Sequence, residues 1–144
     1  MLITPHQLRR LIREEVSRAH FSSTVGLTIN GTRLTAEVAD TPITRQLGLM
    51  HRTRLEENCG MLFTFPTSCQ RSFWMRNTYI PLSIAYLNES GRILNIEDMV
   101  PLNETSVNSS GSSLHALEMD KGWFRRYGIR PGDIVGGLPG CARN

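Results

Sequence analysis

The chain has 144 residues, of which 40% are hydrophobic and 20% are charged, and its formal net charge is +3. This length provides one hydrophobic core, and the composition is typical of a globular domain, which excludes wholesale disorder. The mild positive charge does not single out nucleic acid as a partner.

The arginines lie in two clusters, one near each end of the chain: Arg9, Arg10 and Arg13, then Arg125, Arg126 and Arg130. Acidic residues near the clusters partly cancel their charge: Glu14, Glu15, Glu118 and Asp120. We therefore interpret both clusters as solvated surface and expect no nucleic-acid partner.

The sequence predicts no membrane-spanning segment, because it contains no run of about 18 apolar residues. It also predicts no secretory signal peptide, since arginines and glutamates interrupt the N-terminal apolar residues after Ile12. We expect a cytoplasmic protein, or one carried in a virion, without a membrane partner.

The clearest helix signal covers Thr4 to Ala19. Thr4 suits the N-cap, Pro5 the first helical position, and Gln7 completes a capping box. Apolar residues then recur on one helical stripe: Leu8, Leu11, Ile12 and Val16. An isolated helix of this length is marginal in water, so the stripe needs a surface to cover. We predict that residues 1–21 form a helical arm that docks on its own domain, on a protein partner or on a second copy.

After a polar hinge, short strand-like segments alternate with turns. Asn30-Gly31 is a strong hairpin signal because both turn positions need positive φ. Thr41-Pro42 begins a short helix, and the Ser- and Asn-rich segment 103–113 predicts a mobile loop. The predicted strands are Val25–Ile29, Arg33–Ala39, Gly60–Phe65, Ser72–Met75, Leu82–Leu87, Arg92–Val100, Leu114–Met119 and Ile134–Val135.

This pattern predicts a mainly β (α+β) domain over residues 22–136, followed by a flexible tail at residues 137–144. Seven or eight short strands with little room for crossover helices favour a small antiparallel barrel or roll with short helices.

The cysteines and histidines show no metal-ligand spacing, and we expect no cofactor. Cys59 and Cys69 flank a candidate strand and could face each other across a hairpin, as a disulfide or as two thiols. We favour two reduced, partly buried thiols and regard Cys141 as incidental. His115 falls on a strand as a satisfied or exposed histidine.

Four carboxylates lie within or beside the most distinctive segments: Asp40, Asp98, Glu118 and Asp133. A pair of them could perform acid–base chemistry, but the sequence brings no two together. We interpret Asp40 as an acceptor of backbone amides at the start of the Thr41-Pro42 helix. Asp133 is interpreted as a brace for the Pro131-Gly132 turn.

The segment from Phe73 to Asn77 admits two interpretations. Strand alternation sends Phe73 and Met75 to one face and Trp74 and Arg76 to the other. In the first interpretation Trp74 and an arginine stack on a sugar or another planar ligand, in a pocket lined by Arg71, Trp74, Arg76 and Asn77. In the second, which we favour, Trp74 is a core aromatic and Asn77-Thr78 form a turn.

Three blocks of residues carry a resemblance to a known family. They are Val38–Pro42 with Gly48–Met50; Gly60–Phe63 with Arg71–Thr78 and Ile80–Leu82; and Gly122-Trp123 with Gly128–Asp133. In order and spacing the chain resembles the domain of unknown function 192 family, also called uncharacterised protein family 0127, over roughly Leu34 to Val135.

The resemblance implies a compact β-rich fold with no established activity. Family members commonly carry a secretory or membrane-anchoring N-terminus, whereas this chain carries an arginine- and glutamate-rich helix. Residues 7–15 also resemble N-termini found on proteins of large tailed phages, which points to a phage-encoded member.

Three functional hypotheses follow, and we favour the first. It is a non-catalytic structural, assembly or protein-binding module, such as a virion decoration, cement or neck-associated protein docked through its N-terminal helix. The second is a soluble binder of a small molecule such as a carbohydrate, or an uncharacterised enzyme, with a pocket around Arg71, Trp74 and Asn77. The third is a weak nucleic-acid binder using the arginine clusters. Catalysis lacks a recognisable motif.

Overall fold

A computed structural model describes residues 4–7, 9 and 23–141. In chain order its elements are β1 (Thr24–Ile29), β2 (Thr32–Ala39), α1 (Pro42–Leu47), β3 (Cys59–Phe73), β4 (Leu82–Leu87), β5 (Ile93–Met99), β6 (Val107–Asp120), α2 (Trp123–Arg126) and β7 (Val135–Gly136). The strands form one sheet in the order β5-β4-β6-β3-β2-β1-β7. The prediction of a mainly β fold is confirmed.

The β1–β2 hairpin forms as predicted. Asn30 and Gly31 adopt φ of 51° and 79°, which are the positive values that a two-residue hairpin turn requires. The strand pairing places Ile29 opposite Thr32 and Leu27 opposite Leu34, so both leucines and Ile29 point into the core.

Thr41, and not Asp40, caps helix α1. The Thr41 hydroxyl accepts a hydrogen bond from the Thr44 amide at 3.1 Å, and the Thr44 hydroxyl accepts one from the Thr41 amide at 3.0 Å. The predicted capping role of Asp40 is therefore wrong, since the two threonines already satisfy the first free amides.

The crossover through α1 makes β3 run parallel to β2, while every other strand pairing is antiparallel. A helix that carries the chain back across the sheet allows such a parallel pair. The sheet is thus mixed, which corrects the prediction of a purely antiparallel barrel or roll.

Strand β3 is one strand of 15 residues, where the sequence predicted two separate strands. Pro66 lies between Thr64 and Cys69, where the pairing with β6 is irregular, so the missing amide of Pro66 interrupts no regular ladder. Cys59 and Cys69 both belong to this strand and are free thiols. They cannot face each other across a hairpin.

The prediction of a mobile loop at residues 103–113 is wrong over its second part. Val107–Asp120 is a strand of 14 residues, because the far half of β3 provides a pairing edge. Polar side chains there complete the hydrogen bonding. Asn95 donates to the Asn108 carbonyl and accepts from the Ser110 amide, and the Ser113 hydroxyl donates to the His115 carbonyl.

The sheet curls into a half-barrel whose two edges meet at one end. The Ile93 amide donates to the Asp133 carbonyl at 2.8 Å, and the Val135 amide donates to the Gly91 carbonyl at 2.9 Å. Asp133 braces the preceding turn as predicted, because its carboxylate accepts from the Arg130 amide and from the Asn30 side chain.

Two apolar clusters lie on the two faces of the central strands. The first contains Leu62, Leu117 and Trp123 and includes helix α2. The second contains Met61, Phe63 and Ala116 and is covered by Leu49 and by Met75 and Ile80. All six residues of β4 are buried, because this strand contributes to both clusters.

Of the N-terminal arm, the structure describes only the beginning. Thr4 and Gln7 exchange amide-to-side-chain hydrogen bonds of 2.8 and 3.1 Å, which confirms the predicted capping box. The predicted docking stripe, Leu8, Leu11, Ile12 and Val16, lies outside the described residues. Docking of the arm therefore stays a prediction. Within the described ranges, no helix is both long enough and apolar enough to cross a membrane.

The β3–β6 contact predicts a sharp difference between two glycines. A Cβ added at Gly60 would overlap with the main-chain oxygen of Glu118 and the sulfur of Met119, whereas one added at Gly26 meets nothing within 4 Å. We expect Gly60→Ala to lower the free energy of unfolding by about 1–3 kcal/mol, as overpacking does. Gly26→Ala, the control, leaves it unchanged or slightly raised. Urea unfolding measures both, and equal stabilities of the two variants would contradict the described contact.

Candidate ligand-binding cleft

A cleft of about 750 Å³ lies between helix α1 and the turn that follows β3. Its volume is within the range of pockets that hold small organic ligands. Its lining combines apolar, aromatic and polar residues: Ile43, Arg45, Gln46, Leu47, Gly48, Leu49, Met50, Phe63, Phe65, Ser72, Phe73, Trp74, Arg76, Asn77, Thr78 and Glu118.

The turn at residues 74–78 is held by backbone hydrogen bonds on two sides. The Met75 amide donates to the Asn103 carbonyl at 2.9 Å, and the His51 amide donates to the Asn77 carbonyl at 2.8 Å. The second bond joins the two walls of the cleft directly. The predicted Asn77-Thr78 turn is confirmed, with Asn77 at a φ of 53° and the Thr78 amide bonded to the Met75 carbonyl.

The predicted alternation around Trp74 is confirmed. Met75 is buried, whereas Trp74 is 45% exposed and Arg76 is exposed as well. The Arg76 guanidinium carbon lies 5.5 Å from the centroid of the Trp74 ring, which is within cation–π distance. The interpretation of Trp74 as a core aromatic is wrong, because the second cluster is already filled by Met75, Phe63 and their neighbours.

The inner wall of the cleft is aromatic. Phe73 meets the edge of Phe63 with ring centroids 4.8 Å apart, and it meets Tyr86 at 5.8 Å. Edge-to-face contacts of this kind fix ring positions as well as burying apolar area. The cleft is therefore bordered by rings whose orientation is set by the core.

Arg71, which the sequence grouped with Trp74, does not line the cleft. Its guanidinium carbon lies 3.8 Å from the Phe65 ring centroid, and it donates to the carbonyls of Ser113 and Thr67. Burial lowers the pKa of Arg71. Arg45 approaches the same Phe65 ring at 5.3 Å and donates to the Thr64 carbonyl, and it does line the cleft.

Glu118 is the titratable group at the buried end of the cleft. It is 4% exposed, and its strand neighbours are Met61 on β3 and Ile84 on β4, both fully buried. Its carboxyl group forms no hydrogen bond or ion pair with the described residues. Burial raises the pKa of Glu118 to about 8, because the charged form is poorly solvated among apolar side chains.

The sequence placed Glu118 among surface charges that offset the arginine cluster, and this interpretation is wrong. A usable signal was the alternation of Ala116, Glu118 and Asp120 with Leu117 and Met119 on one strand. That alternation gives Glu118 the same face as Ala116, which belongs to the second cluster. Only the strand order shows that this face is buried.

Tyr86 lies close enough to Glu118 to respond to its charge. Burial, and then Glu118, raise the pKa of the tyrosine well above its ordinary value. The Tyr86 hydroxyl donates a short hydrogen bond to the Val107 carbonyl. Its proton is therefore committed to the backbone, and Tyr86 does not serve as a donor to the Glu118 carboxyl.

Two buried polar atoms on the other face of the sheet have no hydrogen-bond partner among the described residues. His115 is buried opposite Thr64, and neither its Nδ1 nor the Thr64 hydroxyl has a hydrogen-bond partner. Burial lowers the pKa of His115. The interpretation of a satisfied or exposed histidine is thus wrong. Among residues 4–7, 9 and 23–141, no three His, Cys, Asp or Glu side chains come together as metal ligands.

The raised pKa of Glu118 predicts a pH-dependent stability. Between the ordinary value of 4.5 and about 8, the folded protein holds a proton that the unfolded chain releases. The free energy of unfolding therefore falls as pH rises through this window, by up to about 1.4 kcal/mol per pH unit from this group.

Glu118→Gln removes this contribution. We expect the stability of the variant relative to wild type to be higher at about pH 9 than at about pH 5, because only wild type must bury a charge at the higher pH. Urea unfolding at both pH values measures the difference, and the exposed Glu104→Gln is the control. A difference between Glu118→Gln and wild type that does not change with pH would show that the folded pKa is ordinary.

Two crystal structures are similar to this chain. One is a protein from Sinorhizobium meliloti 1021 described as a candidate transcription regulator, with 35% sequence identity, 79% of this chain and 92% of that chain covered, and a TM-score of 0.74. The other is a protein of unknown function from Novosphingobium aromaticivorans DSM 12444, with 40% identity, 78% and 84% coverage, and a TM-score of 0.72. A comparison with curated proteins finds no match.

These similarities overturn the favoured hypothesis of a virion accessory or assembly module. The similar structures are a candidate transcription regulator and a protein of unknown function, both from bacteria, and neither is described as a virion component. The assembly hypothesis depended on the apolar stripe of the arm. An apolar stripe can pack against many kinds of protein surface, so it does not identify a virion partner.

The family model described as Uncharacterized ACR, DUF192, matches residues 25–137. That range contains β2 to β7 in full, β1 from its second residue onward, and every residue that lines the cleft. The chain therefore belongs to the DUF192 family.

Proposed function

We propose that this protein binds a small organic molecule with a planar body in the cleft between α1 and the 74–78 turn. The observation that carries the proposal is the position of Trp74 and Arg76. Both side chains are exposed and line the cleft together with Phe63, Phe73 and the largely buried Glu118.

The apolar part of the cleft favours a planar ligand. Trp74 offers a large ring to solvent, and the Phe63 and Phe73 rings continue the apolar surface inward. A flat ligand that stacks on Trp74 would remove this surface from water, and Arg76 would lie against the same stack. A carbohydrate ring or an aromatic ring satisfies this requirement.

The walls of the cleft are positioned before any ligand arrives. The 74–78 turn is bonded to residues 51 and 103, and Phe73 is held between Phe63 and Tyr86. A site of this kind loses little conformational entropy on binding, so a small ligand retains more of its contact energy.

The description of the Sinorhizobium protein suggests a role in transcription, and a ligand-binding cleft would suit a sensing role there. The two complete helices of the described residues have six and four residues. Recognition helices that enter the major groove are longer than this. We therefore infer that the described residues contribute ligand binding, and nucleic-acid binding stays outside the proposal.

Substitutions at the mouth of the cleft test the proposal. We expect Trp74→Ala to weaken binding of para-acetylbenzoate, a planar probe, by about tenfold, since stacking on an aromatic ring contributes about 1–2 kcal/mol. Titrations followed by the backbone amide signals of residues 76–78 report this in both proteins, because these residues line the cleft and are present in wild type and variant.

Tyr79→Ala is the matched control. Tyr79 is 51% exposed, lies five residues after Trp74 and does not line the cleft. This variant should bind the probe like wild type. Equal losses in the two variants, or a probe that shifts only signals remote from residues 74–78, would count against a binding site in this cleft.

A further inference from the structure

Resting on the proposed function, we propose that Glu118 is a neutral hydrogen-bond donor at the inner end of the cleft, and that the ligand is an organic anion whose planar body carries a carbonyl-type acceptor at that end. The anionic group of the ligand lies at the mouth beside Arg76, and the acceptor lies at Glu118. The cleft therefore selects ligands that carry both groups.

Glu118 places a carboxyl group on the wall of the cleft. The residue is 4% exposed and lines the cleft, and its oxygens form no hydrogen bond with the described residues. The Glu118 oxygens are not among the fully buried side-chain atoms that lack a partner, so the carboxyl group is open to the cleft and a ligand there can reach it.

The charged residues in the same row of the sheet as Glu118 are both glutamates. A row of paired residues crosses this face of the sheet in the order Glu97, Ile84, Glu118, Met61 and Glu37. The two outer glutamates lie two strands away, roughly 10 Å at the ordinary strand spacing. Glu37 is paired with Arg52 at 2.8 Å, and Glu97 accepts from Asn95. No cation occupies this row, so nothing in it stabilises a charged Glu118.

The two arginines that line the cleft, Arg45 and Arg76, contact groups other than Glu118. Arg45, on α1, donates to the Thr64 carbonyl and approaches the Phe65 ring. Arg76, on the 74–78 turn, approaches Trp74 at the exposed mouth. Tyr86, on β4, has its hydroxyl proton bonded to Val107. The cleft is therefore cationic at its mouth and neutral at its inner end.

The positions of Arg76 and Glu118 determine which chemical groups a ligand of this cleft carries. Burial raises the pKa of Glu118 to about 8, so the group is mainly a neutral acid at neutral pH and carries an O–H donor. A neutral acid donates to a carbonyl or a similar acceptor. The ionised form has no proton to donate and repels an anionic ligand, so ionisation of Glu118 opposes binding.

The expected pH dependence has a definite sign. Below the pKa of free Glu118 the affinity for the anionic ligand is constant, and above it the affinity falls about tenfold per pH unit. A cationic ligand would show the opposite trend, because it would bind the ionised carboxylate.

Three probes of similar shape separate these cases. Para-acetylbenzoate carries an anion and a carbonyl acceptor, para-isopropylbenzoate lacks the acceptor, and para-acetyl-N,N,N-trimethylanilinium is a permanent cation. Binding to the full chain is followed by the Trp74 indole signal from about pH 6 to about pH 10, which brackets the titration of Glu118. We expect para-acetylbenzoate to bind about fivefold more tightly than para-isopropylbenzoate, and only below the pKa of Glu118.

Two variants assign the effect to Glu118. Glu118→Gln keeps a donor that does not titrate, so it should retain the preference for the acetyl probe and lose the pH dependence. Glu118→Leu lacks a donor and should bind both benzoates equally. Glu104→Gln, on an exposed loop, should behave like wild type. If Glu118→Leu does not fold, the pH profiles of wild type and Glu118→Gln decide the question.

The outcomes distinguish this inference from the proposed function. Equal and pH-independent binding of the two benzoates in the cleft, or tighter binding of the cation as pH rises, would overturn the inference and leave ligand binding intact. Failure of all three probes to shift the cleft signals of the folded protein would overturn the proposed function itself.

Discussion

The pairing of β3 with β6 is the constraint on which the rest of the structure depends. It extends from Met61 opposite Glu118 to Phe73 opposite Val107 and joins segments more than thirty residues apart in the chain. At one end of this strand pair Gly60 contacts the Glu118 backbone, and at the other end Trp74 directly follows β3. Both the inner end and the mouth of the cleft are therefore set by a single strand pair.

The same ladder places two titratable side chains in buried positions. Glu118 lies on one face of β6 and His115 on the other, and burial disfavours the charged form of each. Burying an unpartnered group costs stability that an apolar residue would not. On the His115 face Thr64 is also unpartnered, and a pocket of about 450 Å³ adjoins the histidine. The cleft beside Glu118 is larger, at about 750 Å³, and is also lined by the exposed side chains of Trp74 and Arg76, which is why it is the candidate site.

The half-barrel gives the cleft a rigid base. Backbone hydrogen bonds between the first residues of β5 and those before β7 bring the two sheet edges together, and β4 is buried on both faces. Helix α1 crosses one face to connect two parallel strands, and the end of that crossover forms a wall of the cleft. The site is thus a consequence of the only parallel connection among the described strands.

The sequence by itself determined the features that depend on neighbours along the chain. The Asn30-Gly31 hairpin, the Leu82–Leu87 strand and the opposite directions of Trp74 and Met75 follow from backbone sterics and strand alternation. Local patterns of this kind also carried the family resemblance.

Only the tertiary structure decided which polar residues lie in a strand, which lie on the surface and which acidic residue is buried. The Ser-rich segment before Leu114 is a strand because the far half of β3 offers it unpaired backbone groups, and Glu118 is buried because two apolar strands flank it. Side-chain polarity cannot reveal either outcome, since both depend on pairing between residues that are distant in the chain.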